Sequence, residues 1–220
     1  SCLGCFACVS ACPSGVRYDQ LIEATRPRLN QPELRNPWQT SFRKLLLAVL
    51  PYPRRLRALL TPLRAYAGTP LQRLARNSGV LKLLGPQLEA MEALLPPLAT
   101  EGFSDGFAPV NPAIGPRRGR VGLVLGCVQR CFDPKVNTAT VAVLQANGFE
   151  VVIPKDQGCC GAASHHQGQM EQTRELAKDL VEHFKQAGDI EPLDAVLVAA
   201  SGCGHTLKAY GELLGDSTNS

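Results

Sequence analysis

Four cysteines in the first twelve residues constrain this chain more than anything else in it. Cys2, Cys5, Cys8 and Cys12, followed by Pro13, read C-x2-C-x2-C-x3-C-P. Three thiols spaced two residues apart on a tight turn can all point at one centre. A fourth, at the start of a following helix, is aimed elsewhere. This is the bacterial run in which thiolates hold the irons of a [4Fe–4S] cubane.

In two-cluster ferredoxins the fourth cysteine of such a run ligates the other cluster. No second run occurs here. Residues 1–30 therefore read as the second half of a two-cluster, ferredoxin-like module. Cys2, Cys5 and Cys8 hold iron of one cluster. Cys12 belongs to the other, whose remaining cysteines lie upstream. The start at Ser1, without a methionine, reads the same way, as a piece cut from a longer protein.

The chain has nine cysteines, an odd and clustered set. Disulfide scaffolds are usually short secreted chains with dispersed cysteines. The C-x2-C spacing instead favours metal thiolates in a reducing, cytoplasmic compartment. No secretory signal is visible, and apolar runs such as Leu45 to Leu50 fall far short of the ~18 residues of a membrane span. Charge is uneven: twelve Lys or Arg lie between Arg26 and Lys82 against the single acid Glu33, within a chain of net +4. Such a block implies an acidic partner or an anionic surface.

Three segments follow. Residues 1–30 carry the cysteine run and a helix from Tyr18, stopped at Pro27. Residues 31–119 are basic and punctuated by proline, with amphipathic helices over 41–50, 54–65, 71–84 and 87–95. A Gly- and Pro-rich linker covers 102–119. From Arg120 the pattern alternates: strands over 121–125, 149–154 and 194–200, and helices over 136–147, 170–187 and 206–214. The fold class is thus α/β with a helical N-terminal part, and residues 120–220 form a βαβαβα parallel-sheet domain.

Each predicted strand is followed by cysteine: Cys127 after the first, Cys159 and Cys160 after the second, Cys203 after the third. Right-handed crossovers bring the carboxyl ends of parallel strands to one edge, where open α/β sheets bind ligands. These four residues should converge. Three readings are open: an iron–sulfur cluster, a closed zinc site, or buried cysteines serving as small apolar residues.

The pattern Cys127-x31-Cys159-Cys160-Gly161-x41-Cys203 resembles the CCG (cysteine-rich) domain of heterodisulfide reductase subunits and their relatives. Within that superfamily the stretches Cys12-Pro-Ser-Gly-Val-Arg-Tyr, Gly158-Cys-Cys-Gly-Ala-Ala-Ser-His-His and Ser201-Gly-Cys-Gly-His-Thr-Leu-Lys-Ala-Tyr-Gly resemble the iron–sulfur subunits of glycolate oxidase (glycolate dehydrogenase) most. The resemblance implies two ferredoxin motifs ahead of two CCG regions, and hence a chain truncated at both ends. It also implies a flavin-containing partner subunit that oxidises glycolate. This chain would act as the electron-transfer subunit, passing electrons to a quinone or another acceptor. The fuller CCG pattern closes with C-x-x-C, whereas Thr206 stands three residues after Cys203. Ligation by three cysteines, a ligand from a partner, or a domain without a cluster are the corresponding readings, and Cys131 is a substitute ligand or an incidental small residue.

Other residues carry weaker signals. His165 and His166 follow the Cys-Cys-Gly loop, and His205 follows Cys203. They read as metal ligands or proton relays, or as solvated and capping side chains. His183, Lys208 and Tyr210 read as helix surface and Trp38 as packing. The basic segment reads as a docking surface for acidic partner subunits, as a peripheral contact with the anionic inner face of a membrane, or as a solvated basic face. Aromatic stacking partners are scarce, so nucleic acid is not expected. No G-x-G-x-x-G follows a strand, so a substrate or nucleotide site of the chain's own is not expected. The alternative functions are the iron–sulfur subunit of another CCG complex, serving lactate, glycerol 3-phosphate or a heterodisulfide, and a zinc-stabilised interaction module without redox role.

Overall fold

The structure, a computed structural model, describes residues 7–30, 37–95 and 106–215. Cys2 and Cys5 lie outside these residues. The N-terminal part is helical: α1 (Ala7–Ala11), α2 (Tyr18–Thr25), a 3-10 turn (Arg28–Asn30), α3 (Pro37–Val49), α4 (Pro53–Tyr66), α5 (Pro70–Asn77), α6 (Val80–Leu84) and α7 (Pro86–Ala93). Proline opens α4, α5 and α7 at the first turn, where its missing N–H costs nothing. The single helix predicted over 71–84 is two, because Gly79 takes φ +72° between α5 and α6.

The remainder is β1 (Val110–Asn111), β2 (Gly119–Val124), α8 (Gln129–Phe132), α9 (Pro134–Ala146), β3 (Phe149–Val152), α10 (Ala162–His166), α11 (Met170–Ile190), β4 (Ala195–Val198), α12 (Ser201–Lys208) and α13 (Tyr210–Leu214). The sheet order is β1-β3-β2-β4. β2 runs parallel to both neighbours, with Val121 beside Val151 of β3 and Ala195 of β4. β1 is antiparallel to β3, pairing Val110 with Val152. It arises from the stretch read as linker, which the sheet recruits as an edge.

Alternation along β2 sorts its side chains to two faces. Val121, Leu123 and Leu125 pack with Val141 of α9 and with Val151 and Ile153. Val124 packs with Leu176, Leu180 and Phe184 of α11. Gly122 shares that second face, and a Cβ there would lie 2.7 Å from the Phe184 ring. The crossover from β2 to β3 carries α9 over one face. The crossover from β3 to β4 passes β2 and carries α11 over the other. The direction of winding therefore changes at β2, which makes the carboxyl ends of β2 and β4 the topological switch point.

The opposite end of the sheet is closed by polar bonds. Buried Arg120 donates to Glu150 Oε1 at 2.8 Å, and its backbone N–H donates to Asp194 at 2.7 Å. The basic segment packs on the sheet domain through α4, whose Leu56 and Leu60 bury against Cys131. Arg54 reaches Asp156 at 2.8 Å, and Gln172 donates to the Leu47 carbonyl at 3.0 Å. Trp38, expected to pack, is 76% exposed on the first turn of α3.

Candidate functional site

The cysteines after the three parallel strands meet at the switch point. Cys127 lies in the turn after β2, Cys159 and Cys160 in the loop before α10, and Cys203 in the first turn of α12 rather than ahead of it. Cys127 Sγ and Cys159 Sγ are 3.2 Å apart. Cys127, Cys159 and Cys160 are buried, and Cys203 packs against the same cluster. The loop is held from below by Gly161 at φ +77°, where a Cβ would also press within 3.2 Å of the Thr173 carbonyl. The Gly161 N–H points at Cys159 Sγ at 3.4 Å.

The four thiols share protons unequally. Hydrogen bonds from Cys159 and Cys203 lower the Cys160 thiol against the cost of its burial. The contact with Cys159, in which either sulfur can donate, lowers Cys127. Cys159 and Cys203 are raised by their bonds within the cluster and by burial. A buried set of four thiols suits a soft metal group, because sulfur is the ligand such groups take. The donor set is all sulfur, with a backbone N–H directed at one member, and it fits a thiolate-held group.

Tyr210 belongs to this site, against the expectation of a surface position. It is 9% exposed, and its hydroxyl donates to the Cys160 carbonyl at 2.8 Å. Burial, then the neighbouring thiols, push its phenol up. The missed signal was the break between α12 and α13, which turns Tyr210 inward. Lys208 is exposed as expected, and His183 is half-buried with its ring nitrogen on the Asp179 carbonyl. Cys131 packs against Leu56 and Leu60 instead of joining the four sulfurs.

Of the N-terminal run, Cys8 is exposed on α1 and Cys12 is half-buried just after it. The Gly15 N–H closes a turn on the Cys12 carbonyl at 3.2 Å. This short helix leads into α2, which lies against the edge that carries the CCG loop. There Glu23 of α2 meets His165 of α10 and His205 of α12, each at 3.6 Å. His165 is pushed down to about 4 by burial and then by His166, and burial raises Glu23. Sequence reasoning singled out the histidines but not Glu23, whose partner lies 142 positions away in the chain.

Residues 38–95 match a model described as the glycolate oxidase iron–sulfur subunit, linker region, and residues 121–208 match the cysteine-rich domain. The chain is 37% identical over 216 residues to the probable glycolate oxidase iron–sulfur subunit of Bacillus subtilis strain 168, covering 98% of this chain and 48% of that one. It is 31% identical over 214 residues to the glycolate oxidase iron–sulfur subunit of Escherichia coli strain K12, covering 97% and 46%. Lactate utilization protein A of Exiguobacterium sp. is 36% identical over 97 residues, covering 44% of this chain and 38% of its own. The chain spans about half the length of the two glycolate oxidase subunits. No solved structure matches it. Among the described residues no helix is long and apolar enough to cross a membrane.

Proposed function

The chain belongs to the glycolate oxidase iron–sulfur subunit family, and on that premise we propose that it is an electron-transfer segment of an oxidoreductase complex. Its donor is a flavin-bearing subunit that oxidises glycolate, and its acceptor is a quinone or another carrier. The observation that carries this reading is the meeting of Cys127, Cys159, Cys160 and Cys203 at the switch point, with two sulfurs 3.2 Å apart.

The division of labour follows the segments. Residues 1–30 hold ferredoxin-type clusters through Cys2, Cys5, Cys8 and Cys12. Residues 120–220 hold a further thiolate-bound group through the four CCG cysteines. When bound, such clusters accept and return single electrons at potentials set by ligation, hydrogen bonds to sulfur and burial. The Gly161 N–H stabilises negative charge on Cys159, and Tyr210 fixes the backbone of Cys160. Residues 31–119 form the docking surface, and their cationic face suits an acidic subunit or the anionic inner face of a membrane.

The test is reduction of the chain by its flavin-bearing partner in anaerobic solution. Glycolate should bleach the visible absorbance of the iron–sulfur chromophore through the partner. A second reading, a lactate-oxidising complex, draws on the similarity to lactate utilization protein A over 44% of the chain. Bleaching with lactate and not with glycolate would establish it. No bleaching by either, with clusters present, would refute both donors.

A further inference from the structure

Away from the sulfurs, three elements bring hard and borderline ligands together. Glu23 Oε1 of α2 lies 3.6 Å from His165 Nδ1 of α10 and 3.6 Å from His205 Nε2 of α12. One ligand atom each from Glu23, His165 and His166 falls within a sphere in which all lie within 4.8 Å of one another, the one such group among the described residues. The His166 and His205 rings stack at 6.4 Å, so His205 borders the same space. The His165 side chain is 2% exposed and that of Glu23 is 17% exposed.

A separation of 3.6 Å is too long for a hydrogen bond. Glu23 Oε1 and His165 Nδ1 are accordingly buried with no hydrogen-bond partner. Two adjacent buried polar atoms in that state need an explanation. A tetrahedral ion with bonds of 2.0–2.1 Å to nitrogen and oxygen holds its ligand atoms ~3.3 Å apart. The Glu23–His165 separation of 3.6 Å is a few tenths of an ångström from that, and His166 lies within 4.8 Å of both.

We propose that Glu23, His165 and His166, with His205 at the border, form a binding site for a divalent transition-metal ion of the zinc class. One carboxylate and imidazole nitrogens are the borderline donor set that such ions take, distinct from the all-sulfur set beside it. The ion ties α2 to α10. It thereby fixes the segment that carries Cys8 and Cys12 against the loop that carries Cys159 and Cys160. Only this consequence rests on the proposed electron-transfer role; the site itself does not.

The test is zinc, iron and acid-labile sulfide content of the untagged chain purified anaerobically, with zinc K-edge X-ray absorption to identify the atoms around the ion. Expected are stoichiometric zinc, a first shell of nitrogen and oxygen only, and unchanged iron in Glu23→Gln. That isosteric change should lower zinc affinity more than about tenfold, while Glu23→His, which restores a ligand, retains zinc. Absence of zinc after supplementation with zinc chloride would overturn the proposal, and that result needs no variant to fold. A first shell containing sulfur, or undiminished affinity in both Glu23→Gln and His166→Ala, would also overturn it. Nitrogen- and oxygen-bound zinc without iron or sulfide would uphold this site and refute the electron-transfer reading instead.

Discussion

Cys127 and Cys159 face each other sulfur to sulfur at 3.2 Å across the ends of two adjacent parallel strands. They are 32 positions apart in sequence, and the pairing of β2 with β3 brings them together. The contact is a product of topology: any parallel crossover of this order places the residues after β2 and β3 side by side. What the chain adds is cysteine at both places and glycine behind each.

Tyr210 anchors that loop from the other side, through its hydroxyl on the Cys160 carbonyl. Tyr210→Phe keeps the ring and leaves the buried carbonyl without its donor. The expected loss is about 1–3 kcal/mol of stability, read from denaturant unfolding. Iron content should be unchanged, because no ligand is removed. Unaltered stability would mean that another donor reaches the carbonyl.

Gly122 faces Phe184 so closely that any Cβ meets the ring at 2.7 Å. Gly122→Ala should therefore destabilise by about 1–3 kcal/mol through overpacking. Phe184→Leu in the same chain should recover part of that loss. A double-mutant cycle with no coupling between the two positions would contradict the packing described.

Cys131 packs against Leu56 and Leu60 and serves the contact between the basic segment and the sheet domain. Cys131→Ala should cost about 1 kcal/mol for the lost sulfur and leave iron and sulfide per chain as they were. A drop in iron would return Cys131 to the ligand set.

Arg17 and Asp19 form an ion pair of 2.6 Å at the start of α2. The Arg17 hydrogen bond holds the Asp19 carboxyl at about 2, below its ordinary 3.8. The folded state thus binds fewer protons than the unfolded state between those values. The pair's contribution is complete above about pH 4 and fades as pH falls through about 2. In the metal-free chain, the stability gap between the native sequence and Asp19→Asn should shrink over that window. A gap constant with pH would show that the pair is not linked to folding.

The sequence made the parallel sheet legible because its strands are short apolar runs closed by Gly-Cys or Cys-Cys-Gly. Position after a strand is enough to predict that Cys127, Cys159, Cys160 and Cys203 converge. β1 was not legible: Val110 and Asn111 have no apolar run around them and become a strand only because β3 offers a free edge. Tyr210 was hidden because its inward turn depends on the end of α12 at Lys208, within a stretch whose pattern reads as one continuous helix. The meeting of Glu23 with His165 and His205 has no local signature at all. It depends on where α2 packs, which no periodicity encodes.

The most direct test of the account is iron and acid-labile sulfide per chain, compared between the native sequence and Cys159→Ser. The account predicts iron and sulfide in equal amounts in the native chain, and a loss of part of both in the variant while the ferredoxin-type share remains. Identical iron and sulfide in the two would contradict it, and would make the four sulfurs at the switch point a buried thiol core and not a cluster site.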